Sequence, residues 1–109
     1  MSVTIDTRRT VPLRIVQELP DHDPATPGDA LPTTHTDGSP AGFIFACPGC
    51  GAQSVLSVGR RIDNRPTWTV TAGDPRRAEG LSLSPSIHHA KPSGCGWHGY
   101  LTSGVLSPC

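Results

Sequence analysis

Two short turns constrain this chain more than any other feature: Cys47-Pro48-Gly49-Cys50-Gly51 and, far downstream, Cys95-Gly96-Trp97-His98-Gly99. Each sets two metal-ligating side chains two residues apart and then supplies a glycine. This is how a zinc knuckle wraps a tight backbone turn around one ion. A single C-x-x-C carries little information, but a second knuckle with the same glycine punctuation points to a shared site. The expected ligands are Cys47, Cys50, Cys95 and His98, holding Zn2+ in a tetrahedral Cys3His arrangement. Cys109, the fourth cysteine, is the alternative fourth ligand.

Other uses of the cysteines are weaker readings. Two disulfides would suit a secreted scaffold, yet Met1-Ser2-Val3-Thr4-Ile5-Asp6 lacks the apolar run of a signal peptide. A redox dithiol normally opens a helix in an α/β fold, whereas a strand-like Val55-Leu56-Ser57-Val58 follows this C-x-x-C. A zinc deaminase needs H-x-E beside its P-C-x-x-C turn, and neither His88-His89-Ala90 nor His98-Gly99-Tyr100 supplies the glutamate.

A metal staple also answers a problem of composition. The 109 residues include 12 prolines and 12 glycines, and only 35% are hydrophobic, so a core built from them is marginal. Structural zinc contributes about 10–16 kcal/mol of apparent binding energy to small folds. No apolar run is long enough for a membrane span. The expected location is the host cytoplasm, with virion association as a variant, and no membrane partner.

The pattern predicts a small all-β, zinc-ribbon-like antiparallel sheet over residues 41–109, preceded by an extended, acidic, proline-rich arm over residues 1–40. Residues 42–47 and 53–58 read as a hairpin around the first knuckle. Thr67–Thr71 is a third strand, with Trp68 in the core, and Leu81–Leu83 a short fourth. Tyr100-Leu101 and Val105-Leu106 form a last hairpin. Arg60-Arg61 open a polar excursion after Gly59. In the arm, Val3-Thr4-Ile5 and Val11-Pro12-Leu13-Arg14-Ile15 alternate in strand fashion, with Pro12 limiting pairing to one side, so an ordered arm should pair its Val11–Leu19 backbone along a sheet edge. Asp21-His22-Asp23 is a solvated turn rather than a metal triplet.

Charge divides the same way. Residues 1–40 carry a net −3 and residues 41–109 a net +3, giving zero overall. The basic residues Arg60, Arg61, Arg76, Arg77 and Lys91 form no clustered run, so nucleic-acid binding is expected to be weak and non-specific.

A further set of residues carries a resemblance. The order Cys47-x-x-Cys50, Arg65-Pro66-Thr67-Trp68, Leu81-Ser82-Leu83-Ser84-Pro85-Ser86-Ile87, then Gly94-Cys95-Gly96-Trp97-His98-Gly99-Tyr100-Leu101-x-x-Gly104 resembles domain of unknown function 6527. That family is found in phage and prophage proteins and beside bacterial ubiquitin-like conjugation genes. The resemblance covers about residues 42–109. It implies a zinc-binding β domain and brings no established catalytic activity.

Several single residues admit both a functional and an ordinary reading. Trp97 either stacks on a partner or shields the metal from water. His88 and His89 read as exposed loop histidines. Ser84-Pro85-Ser86 reads as a structural turn, because no linear Ser-His-Asp spacing accompanies it. The expectation is a non-enzymatic zinc module, phage or prophage encoded, that binds another protein or its own copies through the arm or a sheet edge. A weak nucleic-acid-binding ribbon is the alternative. A zinc-dependent enzyme stands third, since it needs an open coordination position and a nearby carboxylate.

Overall fold

Residues 42–47 alternate large apolar side chains with small or outward ones, and all but Cys47 lie in a central strand of a computed structural model that describes residues 3–59 and 66–109. The polar excursion at Arg60-Arg61 lies outside the described residues. Those described form ten strands and no helix: β1 (Val11–Pro12), β2 (Arg14–Ile15), β3 (Asp29–Thr34), β4 (Pro40–Ala46), β5 (Gln53–Val58), β6 (Thr67–Ala72), β7 (Ser82–Ser84), β8 (Ile87–His88), β9 (His98–Thr102) and β10 (Val105–Pro108). The all-β fold class expected from strand alternation is what the chain adopts.

One sheet has the order β2-β3-β4-β5-β6-β7 and the other the order β1-β10-β9-β8. In the first, β4 and β5 form the expected antiparallel hairpin, with Phe43 opposite Leu56 and Phe45 opposite Ser54. β5 then pairs in parallel with β6, but only at Ser57–Thr67 and Val58–Trp68. The second sheet is built on the β9–β10 hairpin, in register from Thr102–Val105 to Gly99–Pro108. Its tight turn places Ser103 at φ 48° and Gly104 at φ 79°, the left-handed conformation that such a turn requires.

The core lies between the sheets. Phe43, Leu81, Trp97, Leu101 and Leu106 are almost wholly buried, each on the inward side of a period-2 alternation. In β9 the pattern is strict: Gly99 and Leu101 point in, and His98, Tyr100 and Thr102 point out.

The segment before residue 41 is laid along both sheets. β1 pairs antiparallel with β10 at the sheet edge, and β2 pairs in parallel with β3. Leu13, between them, is buried and donates its amide to the Gly104 carbonyl at 2.8 Å. Arg14 makes a two-point contact with the Asp29 carboxylate, both bonds at 2.8 Å, which fixes β2 on β3. Upstream, the Asp6 amide and the Arg9 guanidinium donate to the Pro48 and Gly49 carbonyls, so this strand of chain closes over the first cysteine turn.

Candidate active site and metal centre

The first turn follows β4 directly. Cys47 is buried, its amide bonds the Ala52 carbonyl at 2.9 Å, and the Gly49 amide donates to Cys47 Sγ at 3.3 Å. The second turn approaches so closely that a Cβ on Gly49 would lie 2.6 Å from Cys95 Sγ and 2.9 Å from Trp97 Cβ. Glycine is therefore needed there for space. Trp97 is fully buried beside the cysteines and donates its indole N–H to the Arg9 carbonyl at 3.0 Å, so it shields the turn rather than facing a partner.

Cys47, Cys50, His89 and Cys95 bring their ligand atoms within 4.8 Å of one another. Cys47 Sγ is 3.6 Å from Cys95 Sγ, and Cys50 Sγ is 3.8 Å from His89 Nδ1. A tetrahedral ion with Zn–S bonds of about 2.3 Å sets its sulfurs about 3.8 Å apart, so these separations suit one ion at the centre. Burial pushes the Cys47 thiol up to about 12, against the pull of the amides that reach its sulfur. A bound cation would reverse that cost by replacing the proton.

The histidine in this group is His89, not His98, and Cys109 is not in it. Strand geometry gives the reason. His89 continues β8, where its amide bonds the Trp97 carbonyl at 2.8 Å, and its side chain faces the buried side with Trp97. His98 lies one residue beyond Trp97 and points to the opposite face. Cys109 turns back so that its amide and thiol donate to the His98 carbonyl, at 3.0 and 3.5 Å.

On that outer face His98 meets Ser86. His98 Nε2 and Ser86 Oγ are 2.7 Å apart, a normal distance for a nucleophile and its base. The pairing follows from register: His88 lies opposite His98, and Ser86 is two residues earlier on the same face. The rings of His88 and His98 stack with centroids 4.6 Å apart, tilted by 33°. Trp68 donates its indole N–H to the Ser86 carbonyl at 3.2 Å, anchoring the serine backbone from the other sheet. Among the described residues no carboxylate is hydrogen-bonded to His98.

The Ser84-Pro85-Ser86 segment is thus more than a turn. Its serine is paired with a histidine twelve positions downstream, which a search for linear triad spacing does not detect. Such sites are recognised by geometry, not by sequence interval. The signals available were the serine-proline-serine segment itself and a second-knuckle histidine on the outward phase of a strand.

A family model described as "Bacterial ubiquitination-like system serine protease (BubE)" matches residues 15–109. No curated protein and no solved structure matches the chain. The bacterial ubiquitin-like setting agrees with that of the resemblance noted from the sequence, although the family carries a different name. The match corrects the expectation that the chain is not an enzyme, because the family is one of serine proteases. That expectation failed because it weighed only metal-centred catalysis and linear triads. The matched region spans strands β3–β10, the cysteine cluster and the Ser86–His98 pair, and the chain belongs to the bacterial ubiquitination-like system serine protease family.

Proposed function

We propose that this chain is a serine peptidase in which Ser86 is the nucleophile and His98 the general base, acting on a protein of a bacterial ubiquitination-like system. The observation that carries the reading is the 2.7 Å contact between Ser86 Oγ and His98 Nε2 on an accessible face. With its proton on Nδ1, His98 accepts the Ser86 hydroxyl proton at Nε2 as Oγ attacks the scissile carbonyl. The resulting imidazolium donates that proton to the leaving amine, and an acyl ester remains on Ser86. Water then attacks the ester and loses a proton to His98, which returns it to Ser86 Oγ as the C–O bond breaks and the acid product leaves. The family description supports a substrate from the ubiquitination-like system.

Cys47, Cys50, His89 and Cys95 would hold zinc, as three soft thiolates and an imidazole favour. Four protein ligands leave no open position, so the ion, when bound, supplies a fixed cross-link. That cross-link lies where it matters: His89 directly follows β8, and Cys95 precedes His98 by three residues. Bound there, the ion would hold the Ser86–His98 geometry from both strands.

Treatment with a fluorophosphonate, followed by intact-mass measurement, tests the nucleophile. One adduct per chain that maps to Ser86, and is lost in both Ser86→Ala and His98→Ala, is the expected result. An unmodified wild-type protein would refute the reading.

A further inference from the structure

A cavity lies between two strand edges that lack partners among the described residues, and its lining residues Trp68 and Ile87 adjoin Ser86, the first by hydrogen bond and the second in sequence. β5 pairs with β6 only at Ser57 and Val58, so Gln53–Leu56 have no strand on that side among the described residues. β8 is the last strand of its own sheet. These two edges face each other across a cavity of about 190 Å3 whose lining includes Ser54, Val55 and Leu56 of β5, Trp68, and the Ile87–His89 segment.

The backbone phase matters as much as the lining. The Cys47 amide bonds the Ala52 carbonyl, and alternation along the antiparallel ladder then turns the amide and carbonyl of Val55 away from β4. The same argument applies to β8. His89 bonds Trp97, so the intervening His88, opposite His98, turns its amide and carbonyl away from β9. Two sets of backbone donors and acceptors therefore border one small apolar cavity. Val55, at its rim, is 58% exposed, an unusual position for a β-branched side chain.

Resting on the peptidase reading, we infer that this cleft is the substrate subsite. An extended peptide segment adds to the β8 edge through the His88 backbone and places one aliphatic side chain, of valine or leucine size, against Val55, Leu56 and Trp68. The cavity is smaller than the roughly 300–1,000 Å3 typical of small-molecule pockets, and it suits a single side chain. Two residues of strand span about 7 Å, so a peptide held at His88 carries its backbone to Ser86. Trp68 both walls the cavity and holds the Ser86 carbonyl, which couples subsite and nucleophile. An aspartate or lysine side chain there would be desolvated without a partner.

The test is cleavage of a proteome-derived peptide library by the full chain, read by mass spectrometry, alongside fluorophosphonate labelling of Ser86. The expected result is one position near the cleaved bond at which valine or leucine exceeds aspartate and lysine by at least about 10-fold. Val55→Trp should shift that preference toward alanine and glycine, and Val55→Ala toward larger side chains. Cleavage without an apolar position, or with one that neither variant moves, overturns the subsite. So does labelling of Ser86 without cleavage of any library peptide, while leaving the dyad in place. Absence of both labelling and cleavage overturns the subsite and the peptidase reading together.

Discussion

Replacing His89 and His98 separately by alanine should split metal binding from catalysis. The two side chains start from adjacent strands but face opposite sides. His89 Nδ1 lies 3.8 Å from Cys50 Sγ in the cluster, and His98 Nε2 lies 2.7 Å from Ser86 Oγ. If the roughly 10–16 kcal/mol of a structural zinc site is divided evenly among four ligands, each carries about 2.5–4 kcal/mol. His89→Ala should then bind zinc roughly 60- to 700-fold more weakly. His98→Ala should keep its zinc and lose the benefit of general-base catalysis, about 10²–10⁴ in turnover. Zinc content by elemental analysis, zinc affinity by competition with a chelator, and the rate of fluorophosphonate reaction at Ser86 measure the three quantities. Saturating zinc should restore the reaction in His89→Ala but not in His98→Ala. The reasoning is refuted if His98→Ala sheds the ion while His89→Ala retains it, because the second knuckle would then ligate through its own histidine.

Three further outcomes follow from the geometry. A Cys47 thiol pushed up to about 12 by burial is protonated throughout the neutral range and must lose its proton to ligate. Its contribution to zinc affinity should therefore fall about tenfold for each unit that pH is lowered, and a flat titration of affinity between pH 6 and 8 would contradict this. Gly49→Ala, whose Cβ would lie 2.6 Å from Cys95 Sγ, should lower zinc occupancy, measured by elemental analysis against the wild-type protein. Trp97→Ala removes a fully buried indole and its bond to the Arg9 carbonyl and should cost about 3–5 kcal/mol in urea unfolding of the zinc-loaded protein.

What depends on near neighbours was legible in the residues themselves. The alternation of Phe43 and Phe45, the glycines beside Cys47, Cys50 and Cys95, and the short spacing of the last hairpin specify strands and turns through contacts a few positions apart. They led to an all-β chain with a cysteine cluster. The match between ligand and function needed the fold. Cys95-x-x-His98 has the interval of a zinc knuckle, and on spacing alone His98 outranks His89. The deciding fact is that Trp97 is buried at the start of β9, so that the next residue must face outward, while the β8–β9 register sets His89 beside Trp97 and His88 beside His98. A side-chain period of two, applied to two paired strands, sends one histidine to the cysteines and the other to Ser86. That register is fixed by packing between the two sheets, a relation among residues far apart in sequence. The sequence therefore carried the cysteines and the strands, and only tertiary pairing set His89 beside the cysteines and His98 beside Ser86.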